Sequence, residues 1–129
     1  MHGKFWLAYN DEKASQSAQF IESAQRTLPG NPGRVGGTFL HRVSPDSPEY
    51  AENVAAKDRV CATMEKPVGP PAYHCDEYPF ASTAEGMRTG NARVKYIWGS
   101  HNQSAGGKLS GFYSADRMLY GDPFWVVIY

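Results

Sequence analysis

Residues 93–114 read RVKYIWGSHNQSAGGKLSGFYS, and their patterning decides the fold class. From Arg93 to Trp98 polar and apolar side chains alternate, the period of a half-buried strand. Gly99-Ser100-His101-Asn102 follows as a turn and capping cluster, and a helix is predicted from about Ser104 to Ser114. Gly106 and Gly107 weaken that helix by roughly 1 kcal/mol each relative to Ala. Something other than propensity therefore requires them, and close approach of a ligand or another backbone is one reason.

Upstream, Lys4 to Tyr9 is a short aromatic-rich run that suits a strand. Asn10 offers an N-cap, Asp11 and Glu12 sit in a favourable first turn, and Ala14, Ala18, Ile21, Ala24 and Leu28 recur at spacings of three and four. Residues 11–28 therefore read as an amphipathic helix stopped by Pro29-Gly30. Thr38 to Val43 is a candidate strand, and Asp46-Ser47-Pro48-Glu49 resembles a capping box opening a second helix to about Val60. Lys66 to Ala72, with three prolines and a glycine, excludes regular structure. Downstream, Asp122-Pro123 marks a turn and Phe124 to Tyr129 is a buried strand. The class is α+β, with a small, mostly antiparallel sheet and packed helices.

With 129 residues the chain has room for one domain. Seventeen aromatics and 41% hydrophobic residues supply a real core, which argues against disorder. Thirteen basic residues balance thirteen acidic ones, which argues against a binder held to nucleic acid by bulk charge. The balance is uneven along the chain. Residues 1–85 carry eight Lys/Arg against eleven Asp/Glu and residues 86–129 carry five against two, so an anion site belongs in the last third. No apolar run approaches the ~18 residues of a membrane span, so no membrane partner is expected. The N-terminus lacks a signal-peptide pattern, so for an exported protein the signal or carrier region would lie outside this chain. Cys61 and Cys75 cannot make a four-thiolate metal site. Each lies in a polar, turn-rich context, which suits a disulfide closing a loop worth about 3 kcal/mol; two free thiols in a cytosolic protein are the alternative.

Two clusters carry polar chemistry. In Tyr73-His74-Cys75-Asp76-Glu77-Tyr78-Pro79 the adjacent carboxylates repel each other unless a metal, a base or solvent separates their charges. Neighbours on one strand rarely face each other as a glycosidase pair must, and the Pro-Cys-x-x-Cys of zinc deaminases is missing. In Ser100-His101-Asn102-Gln103-Ser104-Ala105-Gly106-Gly107-Lys108 a phosphate-binding P-loop fails, because Asn102 replaces its first Gly and Leu109 its Ser/Thr. A glycine-rich helix start whose free N–H groups can receive a phosphate remains.

The string Cys75-Asp76-Glu77-Tyr78-Pro79-Phe80-Ala81-Ser82-Thr83, then Glu85-Gly86, then Val94-Lys95-Tyr96-Ile97 leading to Asn102 and Ala105-Gly106-Gly107, resembles bacterial deoxyribonucleases of the NucA/NucB type. Arg117-Met118-Leu119 and Gly121-Asp122-Pro123-Phe124 resemble the end of actinobacterial members. The resemblance covers about residues 60–129, with 1–59 expected to add a strand, helix, strand and helix to the same domain. It implies a small secreted nuclease of the ββα-metal class, in which a β-hairpin and the following helix hold one divalent ion. By motif position Asp76 is the general base that replaces the histidine of commoner members, Asn102 is the metal-binding asparagine, and Glu77 is a neighbouring acid that binds metal or orients the site. One carboxylate, one oxygen ligand and a hard ion such as Mg²⁺ or Mn²⁺ suffice for phosphodiester hydrolysis. Arg93, Lys95, His101, Gln103 and Lys108 are candidates for DNA phosphate contacts. Bacillus-like members have an aspartate two positions before the Asp-Glu pair and an arginine after the asparagine; this chain has His74 and Gln103, which opens a histidine-assisted variant. Cys61 and Cys75 match a cysteine pair of actinobacterial relatives, which points to the disulfide.

The expected function is therefore a sequence-nonspecific, metal-dependent DNA endonuclease. Two rivals share the fold: the DNase tip of a larger polymorphic toxin partnered by an immunity protein, and an inactive nucleic-acid or protein-binding module.

Overall fold

The C-terminal apolar run becomes the middle strand of a three-stranded sheet in the computed structural model, which describes residues 2–129. In chain order the elements are β1 (Gly3–Leu7), α1 (Ser15–Thr27), β2 (Leu40–His41), α2 (Pro48–Cys61), β3 (Tyr73–Tyr78), β4 (Arg93–Trp98), α3 (Gly99–Ala115) and β5 (Pro123–Ile128), with one 3-10 turn at Met87–Thr89. The expected α+β class is what the chain adopts.

The strands divide into two sheets. In the first, β5 lies between β1 and β2, parallel to β1 over five residue pairs and antiparallel to the short β2. In the second, β3 and β4 form an antiparallel hairpin with Asp76 opposite Lys95 and Tyr78 opposite Arg93. Alternation in the sequence locates each strand but carries no information about its partner. The parallel pairing of the first and last strands comes instead from the helices and hairpin that separate them.

Phe5, Leu7, Phe124 and Val126 point from this sheet into a core completed by Ala18, Phe20, Ile21 and Ala24 of α1 and by Ala105, Leu109 and Tyr113 of α3. Tyr78, fully buried at the end of β3, donates its hydroxyl to the Pro32 carbonyl at 2.8 Å. Gln25 Nε2 donates to that hydroxyl and to the Val126 carbonyl, both at 3.0 Å. These bonds tie α1, β3 and β5 together through a network without an unsatisfied polar atom, which is the condition for burying it.

Helix α1 begins later than its apolar spacing predicts. Asp11 accepts from the Lys13 N–H and the Ala14 N–H bonds to the Asp11 carbonyl, so residues 11–14 make a separate turn and Asn10 caps nothing. Helix α2 starts within one residue of expectation, with Ser47 accepting from the Tyr50 N–H and Pro48 at its first position. Helix α3 begins five residues early, at Gly99, directly off β4. The Gly99 N–H bonds to the Ala72 carbonyl at 2.8 Å, which extends the hairpin pairing by one step into the helix. The cluster that reads as a turn is therefore the first turn of the helix, and Asn102 lies within it.

Candidate active site

Among the described residues strand β3 pairs on one edge only, and a cleft of about 420 Å³ opens against its other edge. Three consecutive residues, Cys75, Asp76 and Glu77, line this cleft, as expected where a cavity meets a strand's edge and not its face. Facing them from α3 are Asn102, Gly106, Leu109, Ser110 and Tyr113, a stripe at helical spacing. Lys57 of α2 closes one side, with Arg42 and Ser82 also in the wall.

The two carboxylates are held differently. Asp76 Oδ1 accepts from the Glu77 N–H at 2.9 Å, and the Ser17 hydroxyl of α1 donates to Oδ2 at 3.4 Å. Glu77, only 5% exposed, accepts from the Met87 N–H at 3.3 Å. Burial pushes the Asp76 carboxyl up to about 6, against the Glu77 N–H, the Ser17 hydroxyl and the Lys57 charge, which lower it. Burial likewise pushes Glu77 up to about 7; the Met87 N–H and Lys57 oppose the rise, while the charges of Asp76 and Asp58 add to it.

Both folded values lie above those of the free side chains, so the folded state keeps protons that the unfolded chain releases. Stability of the metal-free protein therefore falls as pH rises from about 4 through 7 and levels off above that. In EDTA, Glu77→Gln is expected to raise Tm by roughly 5–10 °C at pH 8 and to leave it unchanged at pH 4. Thermal melts of both proteins at the two pH values check this.

The disulfide joins Cys61, the last residue of α2, to Cys75, beside Asp76, with a Cα–Cα distance of 6.3 Å. The same α2 holds the chain that follows β3. Asn53, fully buried, donates from Nδ2 to the carbonyls of Ala81 and Thr83 and accepts from the Arg88 N–H. A Cβ at Gly86 would lie 2.4 Å from the Asn53 amide carbon, so that loop is pressed against the helix.

The expected phosphate contacts lie elsewhere. Arg93 and Lys95 are exposed on β4, Gln103 is exposed on α3, and none of the three lines the cleft. Lys108 reaches Asp11 at 3.7 Å, tying α3 to the turn before α1. His101 needs correction: it is buried, its Nδ1 accepts from the Gln16 N–H at 3.2 Å, and the Trp98 ring packs edge-on against it. His101 heads the inward stripe of α3 that continues at intervals of four through Ala105, Leu109 and Tyr113. Gly106 and Gly107 meet no protein atom where a Cβ would stand, so no neighbouring backbone requires them; Gly106 leaves the cleft open.

Lys57 and Ser17 were not foreseen from the sequence. Lys57 had a usable signal, because it lies one turn before Cys61, and a disulfide from Cys61 to the Asp76 strand turns that face of α2 toward the carboxylates. Ser17 had none.

The family model for Deoxyribonuclease NucA/NucB matches residues 38–127. The chain belongs to this deoxyribonuclease family. The match takes in both strands of the hairpin, α3 and every cleft residue named above. Helix α1, which supplies Ser17, lies before the matched segment. Among curated proteins no relative matches the chain.

Among the described residues no three His, Cys, Asp or Glu side chains come together as metal ligands. The carboxylate and amide oxygens in the cleft are those of Asp76, Glu77 and Asn102, beside the hydroxyls of Tyr50, Ser82, Ser110 and Tyr113. This all-oxygen set, without sulfur or imidazole, fits a hard ion that keeps most of its water and shares the phosphate of the substrate.

Proposed function

We propose that this NucA/NucB-family deoxyribonuclease is a secreted, sequence-nonspecific endonuclease that needs one divalent ion, Mg²⁺ or Mn²⁺, with Asp76 as general base. The observation that carries the reading is that Asp76, Glu77 and Asn102, from a strand and the helix facing it, line one cleft with Lys57 in its wall. Asn102 and Glu77 would hold the ion, which when bound neutralises the charge that builds on phosphorus and the leaving 3′ oxygen.

Asp76 takes a proton from the water that attacks phosphorus in line with that oxygen. Its carboxyl, raised to about 6, is ionised at neutral pH yet more basic than an exposed aspartate, which suits a base working near pH 7. The Ser17 hydroxyl and the Glu77 N–H leave it one preferred orientation. Arg42, its guanidinium over the rings of Tyr113 and Tyr120 at 4.6 and 4.9 Å, is a fixed cation for a flanking phosphate. Arg93, Lys95, Gln103 and Lys108 contact DNA only beyond the cleft. The disulfide is consistent with an oxidising compartment, which supports the extracellular assignment.

A plasmid-nicking assay with EDTA, Mg²⁺ and Mn²⁺ tests the reading. Nicking in the metal lanes and none in EDTA is expected; equal cleavage in EDTA, or intact plasmid in every lane from folded, disulfide-bonded protein, overturns it.

Lys57 has a separate signature. Its charge lowers the proton affinity of both carboxylates, and it stands in the wall of the cleft that would receive a phosphate. Lys57→Met is expected to lower kcat/KM on the order of 10–100-fold. The acid limb of the pH–rate profile should also move to higher pH, because Asp76 then holds its proton more tightly. A lower rate with an unshifted limb would assign Lys57 to binding alone.

A further inference from the structure

His74 takes no part in the reaction described above, yet it is held on two sides. A Cβ at Gly99 would lie 2.8 Å from His74 Nε2 and 3.0 Å from Cδ2 and Cε1, so the imidazole rests on the bare backbone at the start of α3. Its Nδ1 faces Asn102, whose Nδ2 is 3.3 Å away. An amide has a donating end and an accepting end, and an unprotonated ring nitrogen can take only the first. With Nδ2 turned to His74, Asn102 Oδ1 is left for the cleft that Asn102 also lines.

We propose that His74 is a positioning residue that sets the orientation of the Asn102 amide, so that its oxygen and not its NH₂ group meets a divalent cation in the cleft. The inference rests on the reading of Asn102 as a ligand. An Asn102 without this partner rotates freely and presents to a cation, part of the time, hydrogens carrying positive charge. Groups behind a ligand fix its orientation in this way and are worth about 10–100-fold in metal affinity. The same contact gives Gly99 its role: any side chain there takes the place of the ring.

The test is Mn²⁺ binding to the DNA-free protein by titration calorimetry, with circular dichroism and Tm recorded for each variant. His74→Leu, which offers no acceptor, is expected to weaken Mn²⁺ binding by about 10-fold or more. His74→Asn places a carbonyl oxygen near the position of Nδ1 and is expected to bind within about threefold of wild type. Gly99→Ala keeps the imidazole but pushes it off the helix, so it should weaken binding while α3 stays helical; this variant serves where His74→Leu does not fold. The double variant His74→Leu/Asn102→Ala should bind no more weakly than Asn102→Ala alone, because His74 acts only through that amide.

Wild-type affinity in both His74→Leu and Gly99→Ala, with Asn102→Ala weakened, overturns the inference and leaves Asn102 as a ligand. Additive losses in the double variant also overturn it, since His74 would then bind the ion itself. Wild-type affinity in Asn102→Ala removes the ligand reading, and the positioning role with it.

Discussion

Asp76→Asn lowers kcat for DNA cleavage on the order of 10²–10⁴-fold, the range set by loss of a general base. KM changes little, because an amide of the same shape still fills the edge of the cleft and still meets the Ser17 hydroxyl and the Glu77 N–H. The fold does not suffer. A carboxyl raised to about 6 by burial is a charge held against its preference above that pH, and the amide removes that cost. The variant should therefore melt at or above the wild-type temperature at pH 8. Single-turnover cleavage of a short duplex, measured beside a thermal melt, separates the cases. A wild-type rate removes Asp76 from the base role, whereas a low rate with a collapsed Tm shows a structural residue.

The second large effect comes from the bridge. Replacing both Cys61 and Cys75 by Ser, or reducing the protein, removes a cross-link between α2 and β3 that closes a loop worth about 3 kcal/mol in the chain-entropy account, or about 10 °C in Tm for a domain of this size. Activity should fall at temperatures well below the new Tm. Cys75 adjoins Asp76, and Lys57 lies one turn before Cys61 on α2, so the bridge ties the strand that carries Asp76 to the helix that carries Lys57. Cleavage rates at 20 °C with and without reductant, on protein shown to be folded, check this. Equal rates and equal Tm would leave the bridge no part in stability or site geometry.

What the sequence made legible was whatever depends on near neighbours. Alternation from Arg93 to Trp98 marks β4 to the residue, and Pro48 behind Ser47 marks the start of α2. The Asp-Glu pair and Asn102 come together in one cleft as their motif suggests. The failures share a cause. Gly99 and Ser100 are weak helix formers, yet they open α3 because the Ala72 carbonyl and the His74 ring fix that turn from outside. His101 looks like a surface phosphate contact beside a glycine-rich start, but a backbone N–H of α1, 85 positions away, occupies its nitrogen. Ser17, the hydroxyl on the candidate base, comes from a helix whose periodicity records only that one face is buried. Such contacts are written in the pairing of distant segments, and no local pattern reports them.

The order of strands bears on when the enzyme comes into being. β5 is the middle of its sheet, and both of its partners, β1 and β2, are made long before it. Until residues 123–128 have emerged, two strands have unmet backbone groups and the core lacks Phe124 and Val126. Contacts of such long sequence separation form late. A growing chain therefore lacks the middle of this sheet, and the part of the core that rests on it, until residues 123–128 have left the ribosome.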